Sequence, residues 1–139
     1  MARTAASSVA ALEQVPLLAE LGKRDRARLA QTMTERTYAP GKQVVVEGRG
    51  GVGFFIIVDG QAAVSIGDRL ARVLGPGDYF GEMALLNGNE RSATVTADTE
   101  LRCMGLTAWN FKRFVQDNPS VAWALLQTLA ERLRETAAR

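Results

Sequence analysis

The 139-residue chain reads as an α+β protein, mainly β, in which an antiparallel jelly roll or barrel is flanked by helices on both sides. Eleven of its thirteen glycines lie between Gly41 and Gly88 and separate short runs rich in β-branched and aromatic residues. That texture belongs to many short strands joined by tight turns. On either side, in residues 12–34 and 107–139, apolar residues recur at spacings of three and four, as amphipathic helices require. A chain of this size supports one core, so residues 1–139 are expected to form a single domain.

Residues 1–11 are rich in Ala and Ser and are expected to be disordered; their apolar stretch is too short and too weakly hydrophobic for a signal peptide. In residues 12–34, Leu17, Leu18, Leu21, Leu29 and Met33 mark helical faces, and Gly22 interrupts them as a helix stop would. Two short helices are predicted there. Within residues 35–106 the strands are placed at 36–38, 43–47, 54–58, 62–66, 69–74, 91–97 and 101–106, with Asp78-Tyr79-Phe80 also strand-like. Asp59-Gly60, between two apolar runs, predicts a two-residue hairpin, because Asp tolerates and Gly favours positive φ. Seven or eight such strands close most readily into a roll that hides their edges.

Helix returns in residues 107–139. Thr107 is placed to cap a helix carrying Trp109, Phe111 and Phe114, and Asn118-Pro119 ends it. A last helix starts at Pro119 or Ser120 and presents Val121, Leu125, Leu129 and Leu133 on one face. Trp123, one turn in, reads as a core or interface residue.

Composition excludes several classes of function. A formal charge of +2 with both signs interspersed offers no basic run for nucleic-acid backbone. The longest strongly apolar run, residues 54–58, falls far short of the roughly 18 residues a membrane span needs. One cysteine, Cys103, has no intrachain partner and reads as a buried strand residue. A reducing, cytoplasmic setting is expected. With no histidine, a jelly-roll metal enzyme is a poor reading. No nucleophile with a base and an orienting group suggests an enzyme either.

The chemistry concentrates in Phe80-Gly81-Glu82-Met83-Ala84-Leu85-Leu86 and the following Arg91-Ser92-Ala93-Thr94-Val95. Gly81 permits a sharp turn, and residues 82–86 are good helix formers whose first amides lack intrahelical acceptors. Such amides favour an anion. Arg91 offers a planar fork for two phosphate oxygens. Glu82 accepts hydrogen bonds only, so it suits sugar hydroxyls and repels a polyphosphate. The pair matches one phosphate beside one hydroxyl; the competing reading is a solvated surface ion pair.

These residues, with Gly75-Pro76-Gly77-Asp78-Tyr79 before them, closely resemble the phosphate-binding cassette of the cyclic nucleotide-binding domain family. Tyr38-Ala39-Pro40-Gly41, Val46-Glu47-Gly48 and Phe55-Ile56-Ile57 through Gly60 resemble its earlier strand and turn motifs. The resemblance implies an eight-stranded roll, with the cassette at 80–95, N-terminal helices and a two-helix C-terminal lid. It further implies that Glu82 binds the ribose 2′-hydroxyl and Arg91 the cyclic phosphate. Phe80, Gly81, Met83, Ala84 and Ala93 would frame the loop, several of them by backbone amides. Ser92 would add a hydroxyl near phosphate and base, which leaves both cAMP and cGMP open and favours cAMP. Leu74 and Val64 would pack on the purine, with Arg72 on the same face as Leu74 and pointing to solvent at a bulge. Glu90 stands where the family often has proline.

The last helix resembles the family's lid helix, and Arg132 falls where related channel domains carry an arginine that reaches the purine. A solvated arginine beside Glu131 and Glu135 is the competing reading. The expected role is a regulatory sensor whose ligand closes the lid and signals to an effector in another polypeptide or another region. A homodimer through the C-terminal helix is a possible assembly. The alternative is a roll that has lost its ligand and serves as a docking domain.

Overall fold

Alternation along one strand organises the molecule: Phe54 and Ile56 point to one side of it and Phe55 and Ile57 to the other, and each side carries its own core. The computed structural model describes residues 10–45, 53–81 and 93–137. In chain order, a 3-10 turn at Pro16–Leu18 and helix α1 (Lys23–Thr32) lead into β1 (Thr34–Tyr38), β2 (Gln43–Val45), β3 (Gly53–Asp59) and β4 (Ala62–Ile66). There follow β5 (Arg69–Leu74), β6 (Tyr79–Phe80), β7 (Thr94–Ala97), β8 (Leu101–Thr107), α2 (Ala108–Asp117) and α3 (Pro119–Ala137).

The eight strands form two four-stranded antiparallel sheets, in the orders β1-β8-β3-β6 and β2-β7-β4-β5. Between the sheets lie Ile57, Ala62, Leu74, Phe80, Val95 and Leu101. On the outer face of the first sheet, Phe54, Ile56, Tyr79 and Leu106 pack against the N-terminal segment and against Phe111, Val121 and Leu125 of the last two helices. This is the predicted roll with helices before and after it.

Thr107 caps α2, its Oγ1 accepting from the Asn110 amide at 3.1 Å. The helix ends at Asp117, and Pro119 opens α3, as Asn118-Pro119 predicts. The N-terminal segment differs from expectation. Residues 10–12 are helical, so helix begins at least two residues before its expected start at residue 12, with Leu12 fully buried as the anchor. The first predicted helix is a short turn at Pro16–Leu18, and Gly22 opens α1 instead of closing what precedes it, its carbonyl accepting from the Arg26 amide at 3.0 Å.

Asp59-Gly60 is not a hairpin either, since β3 and β4 belong to different sheets. The turn carries the chain across the sandwich beneath residues 98–100: the Gln61 amide donates to Thr99 Oγ1 at 3.0 Å and the Asp98 amide to the Gln61 carbonyl at 2.9 Å. Gly60 has φ +90°, and a Cβ there would lie 2.2 Å from the Glu100 carbonyl oxygen. The two-residue hairpin is Gly67-Asp68, where Ile66 pairs with Arg69 and Gly67 has the positive φ (+62°) that a type II′ turn needs first. Across the first sheet, Arg102 of β8 reaches Asp59 of β3 at 2.6 Å and Glu35 of β1 at 3.3 Å, so one guanidinium ties three strands.

Gly60→Ala is expected to destabilise the domain by about 1–3 kcal/mol from backbone strain alone, with the close approach to Glu100 adding to it. Gly67→Ala, where nothing lies within 4 Å of the added Cβ, pays only the strain. Urea unfolding of both variants checks this ordering, and an equal loss at the two sites would refute the crossing contact.

Candidate functional site

Both ends of the predicted cassette are anchored in the roll. Before it, Gly75-Pro76-Gly77-Asp78 makes a type II turn, with Pro at the second position, Gly77 at φ +90° in the third, and the Asp78 amide donating to the Gly75 carbonyl at 3.0 Å. Asp78 Oδ2 accepts from the Gly75 amide at 2.8 Å and locks the turn from its other side. Two further backbone bonds, Gly77 amide to Ile57 carbonyl at 2.9 Å and Ile57 amide to Asp78 carbonyl at 2.8 Å, fasten it to β3.

That turn delivers β6 in fixed register, with Phe80 opposite Phe55. The two rings stack at 5.1 Å between centroids, and Phe55 lies so close over Gly53 and Gly105 that a Cβ on either would meet its ring at 3.0 to 3.3 Å. Phe80 is thus buried where the predicted cassette begins, and Gly81 follows it at φ +98°. After the loop, the half-buried Ala93 leads into β7, where Val95 is buried opposite Val64 and Val45. Glu82, Met83, Ala84, Arg91 and Ser92 lie outside the described residues.

The proposed purine contacts are placed unequally. Leu74, opposite Ala62, is only 5% exposed and belongs to the inter-sheet core with Phe80 and Val95. Val64, half-buried, packs on the same cluster and sits opposite Arg72. The expected bulge is present, as a register shift between Val64 and Ser65. Arg72 does not point freely to solvent, however: its Nη2 lies 3.8 Å from Glu135 Oε2 of α3.

Arg132 is half-buried on α3, its guanidinium 5.7 Å from the centroid of the Tyr79 ring. Both groups line a cleft of about 490 Å³ that runs between α3, the 3-10 turn and the β5–β6 corner. Trp123 is 65% exposed, so it is no core residue; its indole faces away from the packed side of α3. The pairing of Arg72 with Glu135 is not legible in the sequence, since it joins a strand to a helix far along the chain and carries no local motif.

Among the described residues no group of His, Cys, Asp and Glu could hold a metal ion, and no helix is long and apolar enough to cross a membrane. Cys103 is fully buried in the inter-sheet core, and burial pushes its thiol up to about 12. Burial also raises the Tyr38 hydroxyl, with the nearby Cys103 acting in the same direction and Arg36 against it.

Residues 35–118 match the sequence model of the cyclic nucleotide-binding domain. The chain belongs to the cyclic nucleotide-binding domain family. It is 40% identical over 106 residues to a cAMP-dependent protein kinase regulatory subunit of Yarrowia lipolytica, a match covering 75% of this chain and 28% of that protein. It is 35% identical over 118 residues to a cyclic nucleotide-gated potassium channel of Rhizobium etli, covering 85% and 33%. Among solved structures, the regulatory domain of Toxoplasma gondii protein kinase A with cAMP superposes with a TM-score of 0.83 at 26% identity, over 91% of this chain and 50% of that one. The chain thus spans about a quarter to a third of the length of the relatives matched by sequence. In this cyclic nucleotide-binding domain the inter-sheet core, with Phe80 and Val95, is the floor to which both ends of the cassette are fixed.

The pH dependence of that floor follows from the raised thiol. The folded state keeps the Cys103 proton between pH 9 and 12 while the unfolded chain loses it, so stability falls as pH rises through that window and is unaffected by Cys103 below it. Urea unfolding from pH 8 to 10.5 should show a loss of roughly 1 kcal/mol per pH unit above 9 that is smaller in Cys103→Ala. Parallel profiles for the two proteins would refute the burial argument.

Proposed function

We propose that this domain binds a cyclic nucleotide, cAMP in preference to cGMP, as a regulatory sensor. The observation that carries the reading is the cassette sequence set between two rigidly held ends, Phe80-Gly81 and Ala93-Thr94, within a domain of this family. Glu82 would accept from the ribose 2′-hydroxyl, Arg91 would fork onto the cyclic phosphate, and the amides of Gly81, Met83 and Ala84 would complete its cradle. Ser92 adds a hydroxyl to the phosphate, and Val64 with the edge of Leu74 meets the purine. The regulatory subunits and channel among its relatives support a binding module rather than an enzyme.

Signalling follows by population shift. If the ligand binds best when α3 covers the base, it favours that arrangement by no more than its differential affinity for the two states. A ligand of about 22 heavy atoms at roughly 0.3 to 0.4 kcal/mol each binds near the micromolar range, suited to a reversible messenger. The effector lies in another polypeptide or region, as the shares of the relatives' lengths suggest. The buried, unpaired Cys103 suits a reducing, cytoplasmic setting.

A second copy of the chain is the proposed partner of α3. Trp123, Leu126, Ala130 and Leu133 are all exposed and succeed each other at spacings of three, four and three. That 3.5-residue period is the self-complementary seam of a two-stranded coil.

Titration calorimetry with cAMP and cGMP tests the ligand: Arg91→Ala should weaken cAMP binding by about 2–4 kcal/mol, and Glu82→Ala should weaken it as well. Undiminished binding in Arg91→Ala, or no heat from either nucleotide with stripped protein, would refute the pocket. For the assembly, light scattering should find a dimer that Leu133→Glu converts to monomer without loss of cAMP binding. A monomeric parent protein at high concentration would remove the seam.

A further inference from the structure

We infer that Arg72 is a positioning residue: through Glu135 it tethers the last turns of α3 to the ligand-facing side of the roll, and so raises the affinity for nucleotide. The inference rests on the cyclic nucleotide reading and assigns a role to a residue outside the cassette.

The two halves of α3 are held by different physics. Near its start, Val121 and Leu125 are 1% and 2% exposed and belong to the outer core, so apolar burial fixes this half. Beyond Leu125 the helix has no fully buried side chain among the described residues, and Leu126, Ala130 and Leu133 face solvent. There the polar cleft separates it from the roll. Contacts across that cleft include Arg132 over Tyr79 and Arg72 with Glu135.

These two contacts touch different sheets. Tyr79 belongs to β6, the edge of one sheet, and its ring packs into the outer core with Phe54. Arg72 belongs to β5, the edge of the other sheet, and stands opposite Val64 and two residues before Leu74, on the face proposed to meet the purine. The Arg72 tether is therefore the one that begins on the ligand side. Releasing it lets the end of α3 sample more positions, which lowers the fraction of time it spends over the pocket.

Strength matters as much as place. At 3.8 Å, with the side chains 37% and 64% exposed, the pair is weak. A weak tether biases a helix that must still open and close, whereas a strong one would hold it in one state with or without ligand. The expected effect is accordingly modest, about two- to fivefold in affinity.

The test combines a double-mutant cycle with hydrogen exchange. Arg72→Gln and Glu135→Gln should each weaken cAMP binding about two- to fivefold, the double variant should be no worse than either, and the swap Arg72→Glu with Glu135→Arg should recover most of the loss. In nucleotide-free protein, amides of residues 126–137 should exchange faster in each single variant and slow again in the swap, while those of residues 119–125 stay unchanged. Additive losses, unchanged or increased affinity, or a swap that restores nothing would overturn the tether. A parent protein that binds no cAMP would instead sink the nucleotide reading and with it the affinity claim, leaving the exchange data to decide the tether alone.

Discussion

The two-sided packing of β3 is the constraint on which the rest depends. Residues 53–57 are buried or half-buried on both faces, an uncommon demand on an antiparallel strand, which more often leaves one face to water. Phe54 and Ile56 join the sheet to the helices, and Phe55 and Ile57 join it to the second sheet. A slip of one residue would exchange the two sets and leave Phe55 without the space that Gly53 and Gly105 provide. The register of β3 thus fixes where β6 lies, and β6 fixes where the cassette begins.

From this follows a division of labour around the site. The inter-sheet core, with Phe80, Leu74 and Val95, is apolar and buried, and it holds the residues at both ends of the proposed cassette. Turn 75–78 completes the frame, because it is bonded both to itself and to β3. The proposed binding loop would lose less entropy on taking up ligand, since the residues at its two ends are already placed.

The helices are fixed to the opposite face of the same sheet, which gives α3 a mixed character. Its first turns are part of the outer core; its last turns reach the β5–β6 corner through polar and ring contacts. An element anchored at one end by burial and at the other by weak polar contacts can swing without unfolding the domain. The apolar seam on its far side lies clear of the packed face, so covering the roll and meeting another helix do not compete for the same residues.

The sequence by itself determined the zoning into helix, roll and helix, the strand positions, the Thr107 cap, the break at Asn118-Pro119, and the contiguous motif that marks the family. Those features are local: they depend on periodicity, on turn chemistry and on a contiguous motif. Only the tertiary structure decided that Asp59-Gly60 crosses between sheets while Gly67-Asp68 makes the hairpin, since both dipeptides carry a glycine that accepts positive φ and the choice lies with the contacts that Gly60 and Gln61 make with residues 98–100. It alone turned Trp123 outward and brought Arg72 to Glu135. Exposure and ion pairing depend on what the fold places nearby, and residues far apart in sequence leave no local pattern for that.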